Sequence, residues 1–133
     1  MFTNKQSEGI ILAMATPEIS IERSKTAAAG YRGKLRIHFR CRNLAFLEGF
    51  QEYLIDNDVD SYLKESEGGH RPYPLLRITK PENLRRFLAL IPDLPDANDR
   101  FECFKKVLTM YEKGTHMTQK GLDELLIIKG YML

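Results

Sequence analysis

The sequence predicts one α+β domain, in which a four-stranded antiparallel sheet carries helices on one face. Two kinds of pattern favour this class: some segments alternate polar and apolar residues, as half-buried strands do, and five segments repeat apolar residues at helical spacing. A length of 133 residues suits one hydrophobic core and is short for two. We therefore expect a single domain over residues 1–133 with the order α-β-β-α-β-β-α-α-α.

The first half of the chain predicts a helix, a hairpin and a second helix. Residues 3–15 have helical spacing, and Pro17 ends that helix because proline lacks an amide donor. Residues 18–22 and 34–40 then alternate as two strands, and Asn43 can cap the helix that follows. In the second strand the apolar side is Leu35, Ile37 and Phe39, and the polar side is Lys34, Arg36, His38 and Arg40.

The second half of the chain predicts another hairpin followed by three helices. Residues 61–66 and 75–79 have the character of strands, and the glycines at 68–69 supply a turn between them. In the fourth strand Leu76 and Ile78 point inward, and Leu75, Arg77 and Thr79 point outward. The three helices begin at Pro81, at Asp99 and after the capping residue Thr118.

Composition limits the class of protein. Hydrophobic residues make up 43% and charged residues 29%, which is typical of a globular chain and excludes wholesale disorder. No apolar run approaches the roughly 20 residues of a transmembrane helix, and the N-terminus lacks the positive charge of a secretory signal. Cys41 and Cys103 cannot build a disulfide framework, so we expect a reduced intracellular protein. The cysteines and histidines show no zinc-ligand spacing, and we expect no metal site.

Positive charge is concentrated in one segment, although the net charge is only +2. Residues 23–42 hold seven lysines or arginines and no acid. Alternation places the cations of the second and fourth strands on the sheet face away from the helices, because burying unpaired charge is costly. Such a face suits DNA, since a two-stranded ribbon enters the major groove, where arginine binds guanine. The alternative is a solvated charged face without a partner.

Five segments resemble, in order, the LAGLIDADG homing endonucleases. They are residues 34–40, 44–47, 76–79 with 82–84, 101–105 and 113–118. For a chain with one copy of the motif, the resemblance implies a homodimer in a prokaryotic cytoplasm or an organelle. Its subunits would pair through the first helix near Ile10, Ala13 and Met14. The nucleic-acid-binding candidates are Ser20, Glu22, Lys34, Arg36, His38, Arg40, Lys64, Arg77 and Thr79.

The end of the first helix departs from the family pattern. The resemblance implies an acidic metal ligand there beside a glycine, whereas Thr16 and Pro17 stand at the matching positions when the segment is aligned on residues 19–21. Aligned on the start of the helix, the segment is one residue short, and the acid is a candidate for the deleted residue. Glu18 is the nearest acid, and alternation assigns it to the following strand. The loop before the penultimate helix also lacks the cation that the resemblance implies, since Ala97 or Asn98 lies near the matching position. A neutral hydroxyl is a poor substitute for the carboxylate oxygens that magnesium prefers.

These observations predict a double-stranded-DNA-binding protein of homing-endonuclease descent without nuclease activity and without a cofactor. No catalytic residue is assigned, because Thr16 stands at the acid position. One alternative is an active, magnesium-dependent, site-specific DNA endonuclease that uses Glu18 through a shifted register. The other alternative is an RNA-binding, maturase-like splicing cofactor that uses the same basic face.

Overall fold

The helices and strands follow the predicted order. A computed structural model describes residues 2–27 and 30–130, and the side chain of Met117 is not described. The elements are α1 (Asn4–Met14), β1 (Thr16–Arg23), β2 (Tyr31–Arg40), α2 (Leu44–Asp56), β3 (Tyr62–Lys64), β4 (Leu75–Ile78), α3 (Pro81–Leu88), α4 (Pro95–Glu112) and α5 (Gln119–Ile128). A short 3-10 turn, Thr115–Met117, precedes α5. The prediction of an α+β fold is confirmed.

The four strands form one antiparallel sheet in the order β1-β2-β4-β3. The longest strand, β2, lies between β1 and β4: residues 31–38 pair with β1, and residues 37–40 pair with β4. Its register places Ile37 opposite Ile78 and Phe39 opposite Leu76, which aligns the apolar residues of the two central strands. Directly opposite residues of antiparallel strands point to the same face, so this register builds one apolar face.

The core lies between that apolar face and the helices. Leu35, Ile37 and Phe39 are buried, as the alternation predicts. The ring of Phe39 lies 4.7 Å from that of Phe50 in α2 and 5.7 Å from that of Phe87 in α3, measured between centroids. Aromatic contacts of this kind add to the free energy of burial and fix the helices against the sheet.

Three local features differ from the sequence-based expectation. Helix α4 begins at Pro95 rather than Asp99, because proline is compatible with the first helical position, where its missing amide donor is not needed. Strand β3 is shorter than residues 61–66, since residues 65–74 form a long loop. Leu75 points outward by register yet is buried, and its long-chained neighbours Arg40 and Lys64 can cover it.

None of the helices within residues 2–27 and 30–130 combines the length and the apolar character required to cross a membrane.

Candidate nucleic-acid interface

The sheet face that points away from the helices collects the polar residues of all four strands. The register places Glu18 opposite Arg36, and it places His38 between Thr16 on β1 and Arg77 on β4. This surface, here called the outer face, consists of Thr16, Glu18, Ser20, Glu22, Arg32, Lys34, Arg36, His38, Arg40, Tyr62, Lys64, Leu75 and Arg77. Thr79 lies one residue beyond β4 and is exposed.

Acidic residues of β1 pair with the cations of β2. The guanidinium of Arg36 donates to Glu22 Oε1 at 2.8 Å and to Glu18 Oε1 at 3.2 Å. Arg36 also donates to the hydroxyl of Ser20 at 3.3 Å, and the ammonium of Lys34 lies 3.7 Å from Glu22 Oε2. The hydrogen bond from Arg36 lowers the pKa of Glu22. The basic row of β2 is therefore partly neutralised and held in place by its neighbour strand.

Arg40 is held in the same way from the β3–β4 loop. Its guanidinium donates to both carboxylate oxygens of Glu67, at 3.0 and 3.3 Å, which lowers the pKa of Glu67. Beside this pair the guanidinium of Arg42 stacks over the ring of Tyr73, 4.8 Å from its centroid. These four residues and Arg71 line a cavity of about 290 Å³. The β2–α2 connection and this loop therefore place Arg42 and Arg71 beside Arg40, while Glu67 balances part of their charge.

His38 occupies a buried position in the middle of the outer face. Only 3% of its side chain is exposed, so the expectation that it faces solvent beside the arginines is wrong. Its Nε2 accepts a hydrogen bond from Arg77 Nε at 3.2 Å, and its Nδ1 lies 3.2 Å from Glu18 Oε2. Burial lowers the pKa of His38 to about 4, although the carboxylate of Glu18 opposes that shift. His38 is therefore neutral at physiological pH.

The other nucleic-acid-binding candidates lie at accessible positions. Lys64 is exposed on β3, and Arg77 and Ser20 are half-buried. Two further residues of this region were not among the candidates: Tyr62, which stands opposite Arg77 and is 58% exposed, and the loop residue Glu67. Tyr62 lies two residues before Lys64 on β3, and the pairing of β3 with β4 places both side chains on the outer face.

The end of α1 presents no carboxylate. The helix is capped by Ala15, and the next residue, Thr16, is exposed and donates its hydroxyl to the carbonyl of Met14 at 3.2 Å. Pro17 follows, and the carboxylate of Glu18 contacts Arg36 and His38. A magnesium ion needs several oxygen ligands, preferably carboxylates, so the donors present at this helix end do not fit that ion.

The segment before the penultimate helix is largely part of that helix. Ala97 is buried in the first turn of α4, and Asn98 donates its side-chain amide to Asp93 Oδ1 at 2.7 Å. Arg100 donates to the carbonyl of Leu12 at 2.7 Å, which stabilises the C-terminal turn of α1. Most of the loop expected from the sequence is therefore the N-terminus of α4, which Arg100 joins to α1.

The residues proposed for a subunit interface on α1 fall into different environments. Ile10 is 8% exposed and belongs to the core, and Met14 is half-buried. Ala13 is exposed, and Gly9, one turn earlier, is also exposed, with open space where a side chain would extend. Gly9 and Ala13 line a shallow cavity beside the helix, together with Phe2 and Phe46.

Solved structures of homing endonucleases and meganucleases share this architecture. The homing endonuclease I-TnaI shares 18% identity with a TM-score of 0.78, and the match covers 98% of this chain and 88% of that one. The LAGLIDADG meganuclease I-CpaMI, bound to uncleaved DNA, shares 22% identity with a TM-score of 0.80. That match covers 97% of this chain and 43% of the I-CpaMI chain. I-SmaMI, bound to an uncleaved DNA target with calcium ions, shares 15% identity with a TM-score of 0.78. That match covers 98% of this chain and 44% of the I-SmaMI chain. This chain therefore spans less than half of the length of the I-CpaMI and I-SmaMI chains.

The fold is thus the homing-endonuclease fold. The family profile described as LAGLIDADG-like domain matches residues 24–92, which contain β2, both hairpin strands that follow, and the helices α2 and α3. The chain belongs to the LAGLIDADG-like domain family. No curated protein sequence matches it significantly.

The burial of His38 predicts a pH-dependent stability. At neutral pH the ring is uncharged whether the chain is folded or unfolded, but below its unfolded pKa of 6.5 only the unfolded chain binds a proton, until the folded pKa of about 4 is reached. Chemical denaturation should therefore show the free energy of unfolding falling as the pH is lowered from 7 to 5. The contribution of His38 is about 2 kcal/mol.

The variant His38→Gln isolates this contribution. Burial also lowers the pKa of His116, so the variant should keep a weaker pH dependence of the same sign. An equal fall in the free energy of unfolding for the variant and the unmodified protein would contradict the assignment.

Proposed function

We propose that this protein binds double-stranded DNA through the outer face of its sheet and does not cleave it. The observation that carries this proposal is the arrangement of β2, whose inward residues are covered by helices and whose outward residues are predominantly cationic. Only the outward side is available to a large ligand. Phosphate contacts from such a face supply affinity, and arginine contacts with base edges supply selectivity.

The form of the face supports duplex DNA as the partner. Antiparallel strands can follow the major groove, which is about 12 Å wide and distinguishes all four base pairs. The meganucleases I-CpaMI and I-SmaMI, which share this fold, were solved bound to DNA. The outer face carries six cations and two carboxylates, and a third carboxylate, that of Glu67, reaches it from the β3–β4 loop. The cations are Arg32, Lys34, Arg36, Arg40, Lys64 and Arg77, and the two carboxylates of the face are those of Glu18 and Glu22.

The end of α1 supports binding without cleavage. Metal-dependent phosphodiester cleavage relies on carboxylates that hold the ion near the attacked phosphate. Thr16 offers one neutral hydroxyl, and that hydroxyl is bonded to Met14. Glu18 could contribute only after giving up its contacts with Arg36 and His38. These features favour a DNA-binding protein that has lost the nuclease centre.

We also propose that two copies pair through α1. This chain covers less than half of the I-CpaMI and I-SmaMI chains, so two copies would match their length. Gly9 and Ala13 lie one turn apart on the exposed side of the helix, where a second helix could approach closely. A twofold interface would then place two outer faces side by side along one DNA molecule.

The proposal is tested with a randomised duplex library, on which both retention and cleavage are measured. We expect retention that falls at least about tenfold between low and moderate salt, because phosphate contacts release counterions. The retained duplexes should stay intact in magnesium and in manganese. Retention that does not change with salt, or tighter binding to RNA of the same composition, would overturn the proposal of duplex-DNA binding.

The variant Thr16→Asp tests why cleavage is absent. It restores a carboxylate at the end of α1, and we expect partial cleavage of the selected duplex in magnesium, limited by Pro17. Thr26→Asp, which adds a carboxylate at an exposed position outside α1, should remain inactive. Cleavage by the unmodified chain that is abolished by Glu18→Gln and retained by Thr16→Ala would contradict the assignment and identify Glu18 as the ligand.

Sedimentation velocity of the free protein tests the pairing through α1. We expect a dimer for the unmodified chain and a monomer for Ala13→Glu, because two carboxylates would meet near the twofold axis without partners. Ala89→Glu, at an exposed position after α3, is the matched control and should remain dimeric. Equal sedimentation of all three proteins would argue against this interface.

A further inference from the structure

We infer that His38 is a positioning residue that aims Arg77 at a base edge of the bound DNA. The inference rests on the proposed function and assigns a role to a residue that DNA itself cannot reach. The ring of His38 is almost fully buried, and its contact with Arg77 joins β2 to β4 at the centre of the outer face.

The hydrogen bond fixes the direction of the Arg77 guanidinium. Its Nε donates to His38 Nε2 at 3.2 Å, and no hydrogen bond among the described residues occupies its two terminal nitrogens. A guanidinium is planar, and holding one nitrogen restricts the orientation of the other two. The terminal pair matches the O6 and N7 acceptors of guanine, which arginine binds in the major groove.

The partner that orients Arg77 is uncharged, unlike the partners of Arg36 and Arg40. Arg36 and Arg40 are held by carboxylates, which orient them and also cancel much of their charge. Histidine orients Arg77 through a neutral nitrogen and leaves its positive charge available to the ligand. Burial favours the uncharged ring.

The carboxylate of Glu18 favours one tautomer of the ring. Its Oε2 lies 3.2 Å from His38 Nδ1 without the geometry of a hydrogen bond, and its negative charge favours the proton on Nδ1. The other nitrogen, Nε2, is then the acceptor that Arg77 requires. Three strands thus contribute one chain of contacts, from Glu18 through His38 to Arg77, and Glu18 is in turn bonded to Arg36.

Base preference and salt dependence, measured on the same duplex library, distinguish positioning from general support. Arg77→Lys keeps the charge and loses the planar fork, so preference for guanine at one position should fall about tenfold. His38→Leu should lose the same preference at the same position, with little change in the salt dependence. His38→Gln, which restores a neutral acceptor, should recover much of it. His116→Leu, which changes a buried histidine stacked on Tyr111, is the control and should keep the preference.

The outcomes separate this inference from the proposed function. Absence of salt-dependent duplex binding by the unmodified chain overturns both. Duplex binding without preference at any position, or a preference that Arg77→Lys removes and His38→Leu preserves, overturns the role of His38 alone. Because His38→Leu could fail to fold, nitrogen NMR of the unmodified free protein provides a second measurement. We expect the proton of the His38 ring on Nδ1, and a proton on Nε2 would contradict the inference.

Discussion

The alternation along β2 is the constraint on which the rest of the structure depends. Leu35, Ile37 and Phe39 are buried beneath the helices, and the residues between them line the opposite side of the sheet. A slip of one residue in this strand would exchange the two sets and expose the core while burying arginines. The free energy of apolar burial therefore fixes both the fold and the direction of the cations.

Crowding of cations on one side of a sheet creates a second constraint. Like charges on adjacent strands repel, and arginine loses considerable freedom when it is held in one orientation. Glu18 and Glu22 on β1 relieve the repulsion around Arg36, and Glu67 does so around Arg40. The face that remains is less positive than residues 23–42 suggest, but its side chains are already oriented, which lowers the entropy lost on binding.

Local patterns in the sequence predicted the order of the elements and the inward residues of β2. The same patterns could not predict the partners on the outer face, because a cross-strand pair such as Glu18 and Arg36 depends on the register of two separate strands. The burial of His38 was missed for the same reason, since its neighbours come from β1 and β4. The start of α4 at Pro95 was missed because proline also ends helices.

Protection of lysines from acetylation by bound DNA tests the central claim that the outer face is the binding surface. Lys34 and Lys64 lie on that face, and Lys106 and Lys120 are exposed on α4 and α5 in the helical layer. Mass spectrometry of the protein with and without a selected duplex compares their rates of modification. We expect DNA to slow the modification of Lys34 and Lys64 and to leave that of Lys106 and Lys120 unchanged. Protection of the helical lysines, with Lys34 and Lys64 still reactive, would contradict the account.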